Sequence, residues 1–329
     1  MACTETSSGP ASSPAASPTP VPTPVPTPVP TVVCTLPFLT TNGRSAITSV
    51  GFLKLPDGVF RPDPAADSAL PPGGVQAIPG PAARQPWWDA KAKRWVPVSL
   101  SSISSDGQSY VYMSTDGVHR VNVATGADVL MYRQPQGVVG GQVLGYPADV
   151  YIVFSSAVKS GHGGVIANPP DKVGVWKIDV AAGTASRILT SDSAGLMAGG
   201  ALWSTPSSGS TDSLVRTDLG TGQQTVWFTD PGRMMRFYGV DRAGLPIVET
   251  YAGGHLELWR VSAPNQATRF YSLDYTGAPS LFGPEMQGGL FVADEHGVWF
   301  GTSDGLYVYD GAAFRKVATM SGIPAGLCE

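Results

Sequence analysis

The sequence predicts an all-β chain folded as a single β-propeller of six four-stranded blades, a spacing that also admits seven. Three observations carry this. The stretch Gly297–Val317 alternates apolar and polar residues (Val298, Phe300, Leu306, Val308, Phe314, Val317) between Asp-Gly turns at Asp304-Gly305 and Asp310-Gly311. That is the pattern of consecutive hairpins, which cannot bury their faces without copies of themselves. The copies recur: outer-hairpin pieces start near Pro86, His119, Val175, Leu214 and Leu258 as well as at Tyr309. With Asp89, Asn122, Asp179, Asp218, Val261 and Asp310 taken as equivalent, the spacings are 33, 57, 39, 43 and 49 residues. A period of roughly 40–50 residues with four strands per unit marks a propeller. Composition agrees: 40 Gly, 30 Pro and only 14% charged residues suit a turn-dense β chain and leave no amphipathic helix.

Taken in order, residues 1–30 read as a disordered Ser/Thr/Pro-rich tether, and 31–329 as the propeller. The Pro/Thr/Val repeat at the end of the tether fixes φ and removes donors, giving a semi-rigid polyproline II spacer. Cys34 opens the folded part and Cys328 is the penultimate residue. A ring brings its two ends together, so Cys34 and Cys328 are expected to form a disulfide at the seam, which implies an oxidising compartment. Cys3 is then left over. Ile47–Leu55 reads as the innermost strand of the first blade, and Trp87 to Val98 as its outer hairpin. The following repeats run through His119–Tyr132, Val138–Leu189 with an insertion at 156–172, Gly195–Asp230 with a smaller one at 206–211, and Arg233–Leu273. The last follows a loop at 274–288.

The second repeat resembles those of the periplasmic Tol-associated propeller and related WD-repeat-like families. Ser105, Asp106 and Gly107 stand in an SPDG-like turn that lacks its Pro. Asp116, Gly117, Thr125 and Gly126 match the turns that follow. The last repeat is similar to the propeller repeats of bacterial sensor kinases, through Trp299, Gly301, Thr302, Gly305, Leu306, Asp310 and Gly311. Ala2-Cys3 followed by Ser, Thr and Pro resembles the lipid-attachment site of bacterial envelope lipoproteins. That resemblance implies a lipid on Cys3 and an extracytoplasmic place, at a bacterial cell surface or in the periplasm. The only membrane contact expected is through that anchor.

The net charge of −4 carries no basic surplus, so nucleic acid is not an expected partner. No apolar run reaches the ~20 residues of a membrane-spanning helix. Neither a paired metal spacing among His119, His162, His255 and His296 nor a nucleophile elbow is present, so no catalytic residue, metal or cofactor is assigned. His119 and His296 read as structural; His255 with Glu249 and Glu257 forms a polar strand face. One Trp per blade reads as filler between adjacent sheets.

The loops 62–85, 156–172 and 206–211 are read as joining a blade's second strand to its third, and 274–288 as joining one blade to the next. In a propeller these connections open on one face, and insertions gathered on one face suggest binding there. The partner expected on loops 62–85, 156–172 and 274–288 is a protein or glycan. His162, Arg233, Arg236 and Glu285 are the candidate binding residues. The expected function is a tethered binding or interaction module; the alternative is a carbohydrate- or lactone-active hydrolase or lyase with carboxylates at the channel mouth.

Overall fold

The computed structural model describes residues 31–41, 47–69, 86–159, 165–190, 195–208, 211–274, 291–302 and 304–329. Cys3, His162 and Glu285 lie outside these residues, as do the tether and most of the 62–85 and 274–288 loops.

Six antiparallel sheets make the six blades of a β-propeller. In the fifth blade the strands run outward from the axis as Met234–Val240, Pro246–Ala252, His255–Ala263 and Gln266–Asp274. The third uses Gln142–Gly145, Val150–Phe154, Gly174–Ile178 and Ala185–Leu189. The fourth uses Gly195–Ala198, Ala201–Ser204, Thr211–Thr217 and Gln224–Thr229. The sixth uses Phe291–Asp294, Gly297–Gly301, Leu306–Tyr309 and Phe314–Ala318. The second is reduced at the axis. Its outer strands are Ser109–Met113, Gly117–Asn122 and Asp128–Arg133, and its innermost position is one bridge between Ile103 and Tyr110.

The first blade corrects the sequence reading. Its strands, from the axis outward, are Gly322–Pro324, Cys34–Thr41, Ile47–Leu55 and Val59–Pro62. Ile47–Leu55 is therefore third, not innermost, and the C-terminal segment supplies the inner strand. The residues after Pro62 consequently leave a blade's fourth strand rather than joining its second to its third. Both connection types open on the same face of the ring.

Trp87–Asp89 and Arg94–Val96 form a separate two-stranded hairpin, not the outer half of a blade. The hairpin is held against the closing blade: the Trp88 N–H donates to the Ala325 carbonyl (2.7 Å) and Trp95 Nε1 donates to Asp63 Oδ2 (2.9 Å). What made it look like a repeat is turn chemistry. Asp89 Oδ1 accepts the N–H groups of Lys91 and Ala92. Asp179, Asp218 and Asp310 accept the corresponding pairs in the outer turns of the third, fourth and sixth blades. An aspartate that holds its own turn stabilises any tight hairpin, blade or not.

Between blades the strand faces interlock. Leu256, Leu258 and Ile247 of the fifth blade pack with Val298 and Phe300 of the sixth, while Val248 and Val261 on its other face meet Trp203 and Leu214 of the fourth. Tryptophan is not spread one per blade: the strands of the first and second blades carry none, and Trp87, Trp88 and Trp95 belong to the added hairpin. Trp299 of the sixth blade is fully buried, and within the fourth Trp203 meets Trp227 edge-on at 4.9 Å. At the seam Cys34 and Cys328 are paired, with Cα atoms 5.6 Å apart across 294 residues of sequence. Closing a loop of that length is worth about 5–6 kcal/mol in the chain-entropy model. The value is an upper bound because hydrogen bonds already zip the two ends together (Thr35 N–H to Glu329 O, 2.7 Å).

Candidate functional site

Antiparallel strands reverse direction at each step, so second-to-third and fourth-to-first connections open on one face of the ring. On that face, between the second and third blades, lies a cavity of about 610 Å³. Its origin is the reduced second blade. Where the other blades place an innermost strand, this one has Val98, Ser99 and Ser102 leading into a single bridge residue. Tyr112, Met113 and Thr115 form one side of the cavity, and Val138–Val143 the other.

The far wall is held by one amide. Asn168, buried in the 156–172 insertion, accepts the Val139 N–H at Oδ1 (2.6 Å) and donates from Nδ2 to the carbonyls of Val139 (3.1 Å) and Ser155 (2.7 Å). Glycine is required at 141 for close approach. A Cβ there would sit 2.7 Å from Met113 Cε and 2.9 Å from Phe154 Cε1. Gln134 donates from Nε2 to the Val138 carbonyl (2.6 Å), while its Oε1 is buried without a hydrogen-bond partner. None of the cavity-lining residues is Asp, Glu, Lys, Arg or His; serine and threonine hydroxyls, glutamine amides and valines alternate. Such a lining suits an uncharged ligand with both hydroxyl or amide groups and apolar faces.

A titratable cluster stands behind the wall. His119 stacks on Tyr112 (centroids 5.0 Å apart) and bridges two carboxylates, with Nε2 2.9 Å from Asp116 and Nδ1 2.8 Å from Asp128. Burial opposes the imidazolium, but the hydrogen bonds that its ring nitrogens donate to both aspartates outweigh it and raise the His119 pKa. Tyr112 completes the set by donating its hydroxyl to Asp128 (2.6 Å).

The fifth blade carries the other polar concentration on this face. Glu257 accepts from Arg269 (2.5 Å) and lies 3.2 Å from both Arg233 and His255. Burial alone would raise its carboxyl, but hydrogen bonds from Arg269 and His255 and the charge of Arg233 hold it below the usual range. His255 also pairs with Asp274 (2.5 Å), which with Glu257 raises the imidazole pKa. Glu249 is separate. Register places it opposite Leu258 while Glu257 lies opposite Thr250, so the two carboxylates occupy opposite faces of the sheet. Burial raises the Glu249 pKa; Arg236 at 3.7 Å and the Tyr238 hydroxyl at 2.5 Å pull the other way.

Arg233 and Arg236 thus stand at the axis end of the fifth blade, each paired with a different glutamate and not with one another. The structure brings His255 to Glu257 but not to Glu249. Sequence reasoning missed the cavity-lining residues Tyr112, Thr115 and Gln134, and it singled out the insertion that carries Asn168 without naming that residue. The nearest signal in the sequence is the pair Gly140-Gly141, where Gly141 permits close approach to Met113 and Phe154.

No family model matches the chain, and no curated protein sequence matches it. Solved structures with a similar course of the chain include TolB from Acinetobacter baumannii (13% identity over 89% of this chain and 67% of that one, TM-score 0.43). An oligogalacturonate lyase in complex with manganese is similar at 14% identity over 66% of this chain, with a TM-score of 0.40. The chain spans 63% of that lyase's length, less than two thirds. A nidogen/laminin complex is similar at 8% identity over 85% of this chain and 89% of that one, with a TM-score of 0.42.

Proposed function

We propose that the chain is an extracytoplasmic binding module that seats an uncharged ligand, a glycan or a peptide segment, in the cavity between its second and third blades. The observation that carries this is a neutral cavity of about 610 Å³ on the face where the insertions emerge, walled by a segment that a buried asparagine fixes in place. The unmet acceptor on Gln134 adds a place for a ligand donor once the side chain turns inward. Residues 1–30 serve as a tether, anchored through a lipid on Cys3; the paired Cys34 and Cys328 support an oxidising location. Among the described residues no helix is long and apolar enough to cross a membrane.

The enzymatic alternative requires carboxylates converging on an open space. The described ones near the axis are engaged in structure. Asp294 accepts from Trp299 Nε1 (2.8 Å) and the Cys328 N–H (3.0 Å), and Glu249 is buried against Tyr238. The binding reading is therefore preferred. Its test is a titration with neutral mono- to trisaccharides and with end-capped uncharged tripeptides, comparing the natural chain with Thr115→Trp. Thr115 is exposed on a turn at the cavity rim, so the indole can fill the space without disturbing the core. Binding that Thr115→Trp abolishes supports the proposal; binding unaffected by it refutes the location.

A further inference from the structure

At the closing seam, on the face opposite the cavity, three potential metal ligands converge from three different elements. Cys34 starts the second strand of the first blade. Cys328 lies beyond the strand that completes that blade. His296 sits in the turn between the first two strands of the sixth blade. One ligand atom from each lies within 4.8 Å of the others. We propose that this seam is redox-convertible: when the Cys34–Cys328 disulfide is reduced, Cys34, Cys328 and His296 bind one zinc ion.

The geometry is near what the metal requires. Zinc takes sulfur at about 2.3 Å and imidazole nitrogen at about 2.0–2.1 Å, so tetrahedral ligand atoms stand about 3.3–3.8 Å apart. Freed of their bond, the two sulfurs need only side-chain rotation to reach that separation; water takes the fourth position. Both cysteines are buried.

Asp294 is the positioning residue. Its Oδ2 accepts the Cys328 N–H (3.0 Å) and Trp299 Nε1 (2.8 Å), and its Oδ1 accepts the His296 N–H (2.8 Å). The same Oδ1 lies 3.4 Å from His296 Nδ1, an atom that is buried and makes no hydrogen bond. A carboxylate beside one imidazole nitrogen orients a metal-binding histidine and strengthens the other nitrogen as a donor.

The chemistry balances with a trialkylphosphine as reductant. The phosphine is oxidised to its oxide with oxygen from water, two electrons break the S–S bond, and each sulfur gains a proton. Metal binding then releases both protons from the thiols.

The test uses the full chain carrying Cys3→Ser, without an affinity tag, reduced by phosphine and titrated anaerobically with Co²⁺ and then Zn²⁺. Expected are one Co²⁺ per chain, a thiolate-to-cobalt charge-transfer band in the near ultraviolet, displacement by Zn²⁺, and no uptake by the oxidised chain. His296→Ala should weaken uptake about tenfold or more. If reduction alone loosens the ring, the near-ultraviolet circular dichroism should fall and return on adding metal. A reduced chain without the charge-transfer band overturns the proposal. So does a His296→Ala chain of equal affinity, or a loosened ring that metal does not restore.

Discussion

The second and fifth blades follow one plan outward from the axis and differ at the axis itself. The fifth presents a seven-residue inner strand, Met234–Val240, packed among aromatic and aliphatic side chains and flanked by paired charges. The second presents one bridge residue, Ile103. Removing a strand from the inside of a blade leaves its outer strands intact, because each remains paired to the next. What it leaves behind is volume at the blade junction. This ring separates two tasks: the fifth and sixth blades supply cohesion, and the thinned second blade supplies space.

The largest expected contrast is in stability. Leu258→Ala in the fifth blade deletes a fully buried side chain packed on Tyr238 and Phe300, and should cost about 2–5 kcal/mol in denaturant unfolding. Val143→Ala on the partly exposed cavity wall should cost clearly less. Equal losses would mean that the cavity region is as tightly packed as the fifth blade. Next in size is Asn168→Ala. It strands the Val139 N–H and releases two carbonyls, for an expected loss of about 1–3 kcal/mol, together with faster amide exchange at Val139–Gly141. Unchanged exchange there would show that the wall does not depend on the amide.

The smallest effect is a pH dependence centred on His119. Its pKa is raised in the folded chain, so its stabilising contribution is complete below the ordinary value of 6.5 and fades as pH climbs past the folded value. The melting temperature of the natural chain should exceed that of His119→Gln at pH 5.5, and the gap should narrow by pH 8.5. A gap that widens with pH would contradict the assignment.

Much of the fold was legible because its signals are local. Asp179, Asp218 and Asp310 each hold a turn within three residues of themselves, so the hairpins show in the sequence. The same locality misled at Asp89, where an identical turn belongs to an added hairpin. The closing blade was not legible as a blade. Its first strand, Gly322–Pro324, pairs with Phe38–Thr40 from the other end of the chain, and three residues carry no periodicity. The cysteines did mark where the ends meet. The site was only partly legible. Arg233 and Arg236 could be singled out as candidate residues, but their pairing with Glu257 and Glu249 depends on strand register. The cavity is defined by a strand that is missing, and no residue spells an absence.

The most direct measurement follows the methyl signals of Met113, Val98, Val111 and Val143 by NMR while the neutral saccharides and capped tripeptides are added. All four residues line the cavity, and Leu258 and Val261 report on the fifth blade. A ligand seated in the cavity should give saturable shifts confined to the first four and lost in Thr115→Trp. Shifts that centre on Leu258 and Val261, or that persist in Thr115→Trp, would contradict it.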